Sequence, residues 1–447
     1  MQSPPSRPVG SANVTDHPGP AAAPLSGDEP DLTGHEFQHD PCRAYGRLRE
    51  QGPVVRGWLS PEQSVWLSTR FADVRAVLRD HRFVNSPLSV PGHTGPDPRK
   101  PMLSALGLPE RIHPYFLRSV VDSDPPGHTV LRGLVSRAFT ARRIRALRPR
   151  VAQIADRLLS ELPGYAENGV ADLVRHFAYP LPIAVICELV GIPEPDRPLW
   201  TSWSEDLLAL DPGRLSTSTP SLVDSVHAAV EARRRCPTDD LLSGLIQAAD
   251  GSGGGLADGD IVTMVLILVL AGHETTAHLI SNGTAALLGH PDQLGALRAD
   301  PGLLPGAVEE LMRWCGPVQL ARTRYAAEDV DLHGVRIRRG DTVQCVLVSA
   351  NHDPRQYTAP ERLDLTRHRG ASAETHLGFE HGIHFCLGAP LARQEGEVAF
   401  HALWEHFPRL SLAVPRDSLE RLPASGGWRL ARLPLRLGPH AFRTPSG

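Results

Sequence analysis

Cys386 sits in the run HLGFEHGIHFCLGAPLAR, residues 376–393, with His384 two residues before it, Phe379 seven before it, and Gly378, Gly382 and Gly388 around it. Pro390 then opens a helical pattern carrying Ala392, Val398 and Leu403. Glycine lets a chain pass close to a large flat ligand. A helix beginning just after a thiol points its N–H groups and positive dipole end at the sulfur, which favours the thiolate. One thiolate held this way suits a haem iron, whose equatorial bonds come from the porphyrin. The plain alternative is a buried cysteine in an ordinary turn.

A second run, LVLAGHETTAHLI (residues 268–280), places Gly272, His273, Glu274, Thr275 and Thr276 in the middle of an apolar helix. Polar groups inside a buried helix are costly unless paired or functional. A threonine hydroxyl can bond back to the carbonyl four residues earlier, or leave it free and bend the helix. That opens a notch for dioxygen and a water, and Glu274 beside Thr275 supplies an acid and an alcohol able to pass protons inward. A kinked core helix explains the same residues equally well when the run is read alone. His273-Glu274 followed by His278 is superficially a zinc motif, but five helical residues turn the two imidazoles about 140° apart, too far to share an ion. His381, His384 and Cys386 form a second zinc candidate that lacks a fourth ligand at a suitable spacing.

Two further patterns are weaker alone. In VEELMRW, Glu310 and Arg313 lie at i and i+3 and can pair, a contact worth only about 0.2–0.5 kcal/mol when exposed. Seven arginines (132, 137, 142, 143, 145, 148 and 150) crowd one helical stretch. They form either a solvated face or a docking patch for an acidic partner.

Taken together and in this order, the runs resemble the cytochrome P-450 family over about residues 40 to 440. The resemblance implies a single-domain prism fold, mainly α with small β-sheets, and haem b with Cys386 as axial ligand. It implies that Thr275 and Glu274 serve oxygen activation, with Ala271 at the oxygen-binding notch. His128, Arg132, Arg324 and His384 match positions that hold the haem propionates, with Arg322 near enough to compete with Arg324. It assigns Glu310 and Arg313 a structural role in a network completed by Arg362. Glu380 stands where the family usually has glycine. If it lies on the donor-facing surface, Glu380→Gly changes electron-donor affinity and keeps haem binding.

The implied activity is haem-dependent oxidation of a lipophilic small molecule with O2, in the branch that tailors macrolides and other secondary metabolites. Oxidative C–C or C–N coupling, a peroxide-driven enzyme and a haem-based sensor are the alternatives on the same scaffold. Substrate contacts are expected from residues 82–117, 181–222 and 424–427, and from Ala271, Val318, Gln319 and Leu320. The chain carries no flavin or iron–sulfur motif, so a ferredoxin and a ferredoxin reductase are expected as separate electron donors.

The elements that must position these residues can be read from pattern. At 447 residues, 41 % hydrophobic and 21 % charged, the chain is globular, and a net charge of −4 argues against a general nucleic-acid binder. Six cysteines with no CxxC pair read as free thiols in a reducing compartment. Residues 1–30, rich in Pro, Ser, Gly and Ala, are expected to be a disordered tail, and 31–447 one domain. The longest apolar run, 261–271, is too short to span a bilayer, which needs about 20 residues. The expectation is a cytoplasmic monomer without a membrane anchor. Helical spacing predicts one helix over 124–149, one starting at a Thr238 or Asp239 cap, and a long helix from 260 to about 289 interrupted midway. The clearest strand signal, 335–348, predicts a hairpin turning at 338–341.

Overall fold

Asp40, Thr140, Asp211 and Asp240 each accept a hydrogen bond from a backbone N–H two or three residues on, and so start four of the helices that frame the molecule. The computed structural model describes residues 29–60, 63–209, 211–251, 257–368, 376–422 and 427–438. Most of the expected tail, residues 1–28, lies outside these, as does the turn segment 424–426.

The first part of the chain comprises α1 (His35–His39), α2 (Pro41–Gln51), β1 (Val54–Ser60), β2 (Gln63–Ser68), α3 (Phe71–Arg79) and β3 (Phe83–Val84). Short helices α4 (Lys100–Ala105) and α5 (His113–Leu117) interrupt the long Pro/Gly-rich segment. A helical body follows: α6 (Gly127–Ala138), α7 (Ala141–Glu161), strand β4 (Val170–Asp172), α8 (Pro180–Val190), α9 (Arg197–Ala209), α10 (Pro212–Arg235) and α11 (Leu241–Asp250). The long α12 (Asp258–Leu288) leads to α13 (Pro291–Ala299) and α14 (Leu304–Cys315). Then come β5 (Arg324–Ala326), β6 (Val330–Leu332), β7 (Val335–Ile337), β8 (Thr342–Cys345), α15 (Leu347–Asn351), α16 (Ala389–His406), β9 (Ser411–Leu412) and β10 (Pro434–Arg436).

Strands form a five-stranded sheet in the order β1-β2-β8-β5-β3, a three-stranded sheet β4-β10-β9, and the hairpin β6-β7. The mainly helical character with small sheets is as expected, but four details differ from the sequence pattern. The helix expected over 124–149 is two helices, because Thr140 has an extended backbone and caps α7. Asp240, not Thr238 or Asp239, caps α11. The long helix α12 runs without a break for 31 residues. The hairpin closes at His333-Gly334, both with positive φ as a tight turn requires, so β7 pairs with β6. β8 instead enters the main sheet, parallel to β2 and antiparallel to β5.

Two apolar cores meet along the cysteine loop. The larger one gathers the helices around α12, including Leu279, Val308, Leu311, Phe379 and Phe400. The second joins α3 to the main sheet and includes Val74, Val343, Tyr357 and Leu377. Leu377 and Phe379 thus anchor one loop in both cores, which fixes it between α12 and the sheet. Glycine sets the approach of α12 to its neighbours: a Cβ on Gly283 would lie 2.5 Å from the Phe400 ring and 3.2 Å from Leu311. α12 is long and apolar enough to cross a membrane by length and composition, yet most of its apolar length is buried against the rest of the chain.

Candidate active site

The cysteine loop and α12 face each other across a cavity of about 260 Å³. α12 presents Ala271, Gly272 and Thr275, and the loop presents Phe379, Cys386 and Leu387. Gly382 lets the loop seat against α3: its φ is +76°, and a Cβ there would stand 2.5 Å from the carbonyl oxygen of Leu78. The N–H of Cys386 donates to the carbonyl of Phe379 at 2.9 Å. Burial raises the Cys386 thiol above its ordinary value, while the amides of Gly388 and Ala389 and the charge of Arg132 pull it down and Glu380 pushes it up. The helix amides behind the sulfur therefore do not create a thiolate by themselves. A bound metal ion would, since coordination deprotonates a thiol.

Across the cavity, Thr275 Oγ1 donates to the carbonyl of Ala271 at 2.6 Å. The hydroxyl thus takes the helix carbonyl without breaking α12. Glu274 is raised by burial and pulled down by Arg429, whose Nε lies 2.7 Å away as an ion pair without hydrogen-bond alignment. His278 Nε2 is 2.8 Å from the Tyr179 hydroxyl, and His273 Nε2 is 3.2 Å from the Tyr179 carbonyl. Burial holds both imidazoles neutral, His278 at about 3 and His273 at about 4. Tyr179 stands against both rings, and no cluster suited to a metal ion occurs among the described residues. His381 accepts from Arg75 on α3, away from His384, so the second zinc candidate does not assemble either.

One edge of the cavity collects cationic and imidazole donors. The rings of His128 and His384 stand 4.4 Å apart, and the Nε2 of each is buried without a partner. Arg132 Nη2 donates to the carbonyl of Phe385 at 2.6 Å. Arg324 is 2 % exposed, with Nη1 on the carbonyl of Arg322 at 2.9 Å and Nη2 on Glu380 Oε2 at 3.1 Å. Arg322 turns outward to Asp122 at 2.6 Å and leaves Arg324 as the inward arginine. Glu380, at φ +58°, lines the cavity beside Cys386 and His384. The carboxylate of Glu380 is drawn in by buried Arg324, toward the cavity. Orphaned imidazoles and arginines at one edge, a thiol on one wall and a helix with small residues on the other fit the carboxylates, iron and macrocycle of haem.

Glu310 and Arg313 form a buried bidentate pair, with Nε and Nη2 both 2.8 Å from the carboxylate. The third partner is not the side chain of Arg362. Arg367 Nε and His368 Nε2 complete the carboxylate at 3.1 and 3.0 Å, and Arg362 contributes its carbonyl to Arg313 and Arg367. The turn over 361–368 points the later arginine inward, an outcome the one-dimensional spacing does not reveal. Among expected substrate contacts, Ala271, Val318 and Ile186 line the cavity. Leu320 does not: it bridges to Val346 and packs on the small core of Tyr45, Leu67 and Val346. The wall expected from residues 82–117 is instead Val120 and Val121.

Sequence reasoning also missed Glu395, which lines the cavity, is 1 % exposed and is raised well above the ordinary range by burial. Its helical spacing from Ala392 and Val398 on an otherwise apolar face was the available signal.

The family model for Cytochrome P450 matches residues 217–425. The chain is 43 % identical over 393 residues to 6-deoxyerythronolide B hydroxylase of Saccharopolyspora erythraea, covering 87 % of this chain and 94 % of that one. It is 42 % identical over 404 residues to the cytochrome P450 monooxygenase PikC of Streptomyces venezuelae, covering 90 % and 92 %. The solved structure of the ligand-free P450 monooxygenase TamI superposes with a TM-score of 0.81 at 36 % identity, over 92 % and 94 % of the two chains. A cysteine and an acid–threonine helix facing one cavity, set in a fold and sequence shared nearly end to end, leave one conclusion: the chain belongs to the cytochrome P450 family and is a haem monooxygenase.

Proposed function

We propose that this monooxygenase hydroxylates or otherwise oxidises a lipophilic secondary metabolite of macrolide type, with electrons delivered in the cytoplasm by a ferredoxin and its reductase. The observation that carries the reading is the single cavity holding Cys386 on one wall and Ala271 and Thr275 on the other, with the unpartnered His128 and His384 at its edge. The similarity to a 6-deoxyerythronolide B hydroxylase supports the substrate class.

Haem, when bound, supplies oxygen activation and the oxidising power. Cys386 would supply the thiolate that holds it, and His128, Arg132, Arg324 and His384 would hold its carboxylates. Thr275 positions a hydroxyl beside Ala271 on the cavity wall, and Glu274 moves a proton inward from the Arg429 side. Burial keeps a proton on Glu274 more readily than on an exposed carboxyl, and Arg429 limits that effect. Ile186, Leu268, Val318 and Val121 surround the substrate with apolar surface and exclude water. Arg137, Arg142 and Arg145 are exposed on α6 and α7, a basic surface on which an acidic donor would dock.

The test is an absorption spectrum of the reduced, CO-bound protein, beside Cys386→Ser. The wild type is expected at the thiolate Soret position and the variant away from it. A wild-type protein without haem, or with the same band as the variant, refutes the reading. Turnover with a ferredoxin–reductase pair on a macrolide panel then tests substrate and donor.

A further inference from the structure

Glu380 holds a backbone conformation that glycine adopts freely and other residues at a cost, with φ at +58°. Its N–H donates to the Leu377 carbonyl at 2.9 Å, so the loop locks this conformation. What that conformation achieves is placement of a carboxylate 3.1 Å from Nη2 of Arg324. Arg324 is the most deeply buried cation of the cavity edge, and its Nη1 is already on the Arg322 carbonyl. Of the other groups there, Arg132 is bonded to the Phe385 carbonyl, and the rings of His128 and His384 stand 4.4 Å apart. Arg322 is neutralised outside by Asp122. One carboxylate therefore changes the net charge of this edge substantially.

We propose that Glu380 is a built-in counter-ion for Arg324 that weakens the hold of this edge on the haem carboxylates and makes the haem site harder to reduce. The inference rests on the haem reading above. With Glu380 in place, the guanidinium divides its attraction between a protein carboxylate and a haem carboxylate. A fixed negative charge in a poorly solvated site also disfavours adding an electron to it. In the haem-free chain the same pair spares Arg324 from being a buried, uncompensated cation.

The experiment compares wild-type, Glu380→Gln and Glu380→Asp holoproteins. Haem transfer to excess apomyoglobin is followed optically, and the ferric/ferrous midpoint is measured by dye-coupled titration. Glu380→Gln is expected to release haem about tenfold more slowly, the worth of one close charge pair, and to shift its midpoint positive. Glu380→Asp keeps the charge and is expected to stay nearer the wild type on both readouts. If Glu380→Gln fails to fold, Glu380→Gly, which suits the positive φ, carries the same expectation. Haem release as fast as or faster than wild type, or a midpoint unchanged or more negative, overturns the inference. A wild type that takes up no haem overturns this inference and the functional reading together. A normal thiolate spectrum with indistinguishable variants overturns this inference alone.

Discussion

Replacing Glu310 by glutamine tests the buried network that ties α14 to the turn ahead of the cysteine loop. Glu310 is 0 % exposed and accepts five hydrogen bonds, from Arg313 Nε and Nη2, the Asp364 amide, Arg367 and His368. Burial pushes its carboxyl up, and the bonds from Arg313 and His368 more than reverse this, leaving it at about 2 against an ordinary 4.5. At about 1.36 kcal/mol per pH unit, that gap corresponds to about 3 kcal/mol of stability at neutral pH. Glutamine also leaves the Arg313 guanidinium, 1 % exposed, without an anion. Breaking a buried pair on one side costs about 3–5 kcal/mol. Unfolding entropy of about 2.1 cal/mol/K per residue converts this to a Tm lower by about 3–5 °C for a chain of this length.

Because the folded value is depressed, the contribution is fully present above about pH 4.5 and is lost as pH falls toward 2. Urea unfolding and thermal melts of wild type and Glu310→Gln at pH 7 and at several acid values check both points. The gap should be widest at neutral pH and narrow below 4.5. A gap under about 1 kcal/mol at pH 7, or one that grows on acidification, refutes the reasoning.

Gly283→Ala should cost about 1–3 kcal/mol, because its Cβ overlaps the Phe400 ring between α12 and α16; a melt within 0.5 °C or so of wild type would contradict this packing. Glu395→Gln should stabilise the protein at neutral pH: a carboxyl raised by burial opposes folding as pH climbs past its unfolded value, and glutamine removes that charge. Thr275→Ala should keep haem and fold while product formed per O2 consumed falls about tenfold or more, the order expected for a proton-handling group; an unchanged ratio would remove Thr275 from the proton path. The neutral, buried His273, His278 and His352, all depressed by burial, add stability above about pH 6.5 that is lost on acidification toward 3–4, so the urea midpoint should already decline between pH 6.5 and 5.

Local chemistry was legible in the chain itself. A lone cysteine among glycines before a helix, and an acid–alcohol pair within an apolar helix, named the cofactor class and both walls of the cavity. Short-range spacing also identified the Glu310–Arg313 pair, since i and i+3 neighbours meet on any helix. What the chain alone left open was direction. Whether Glu380 faces a donor or the cavity depends on Arg324, 56 residues away, being buried behind it. Whether Arg362 or Arg367 reaches Glu310 depends on how a turn folds back on α14. Leu320 and Val318, two residues apart near the end of α14, part company because Leu320 bridges to Val346 while Val318 stands beside the cavity. The sequence determined which groups exist and their nearest helical neighbours, because those follow from bonded geometry. Only the tertiary structure decided which charges share one low-dielectric space, because burial and pairing across long loops are set by how the two cores close on the cysteine loop.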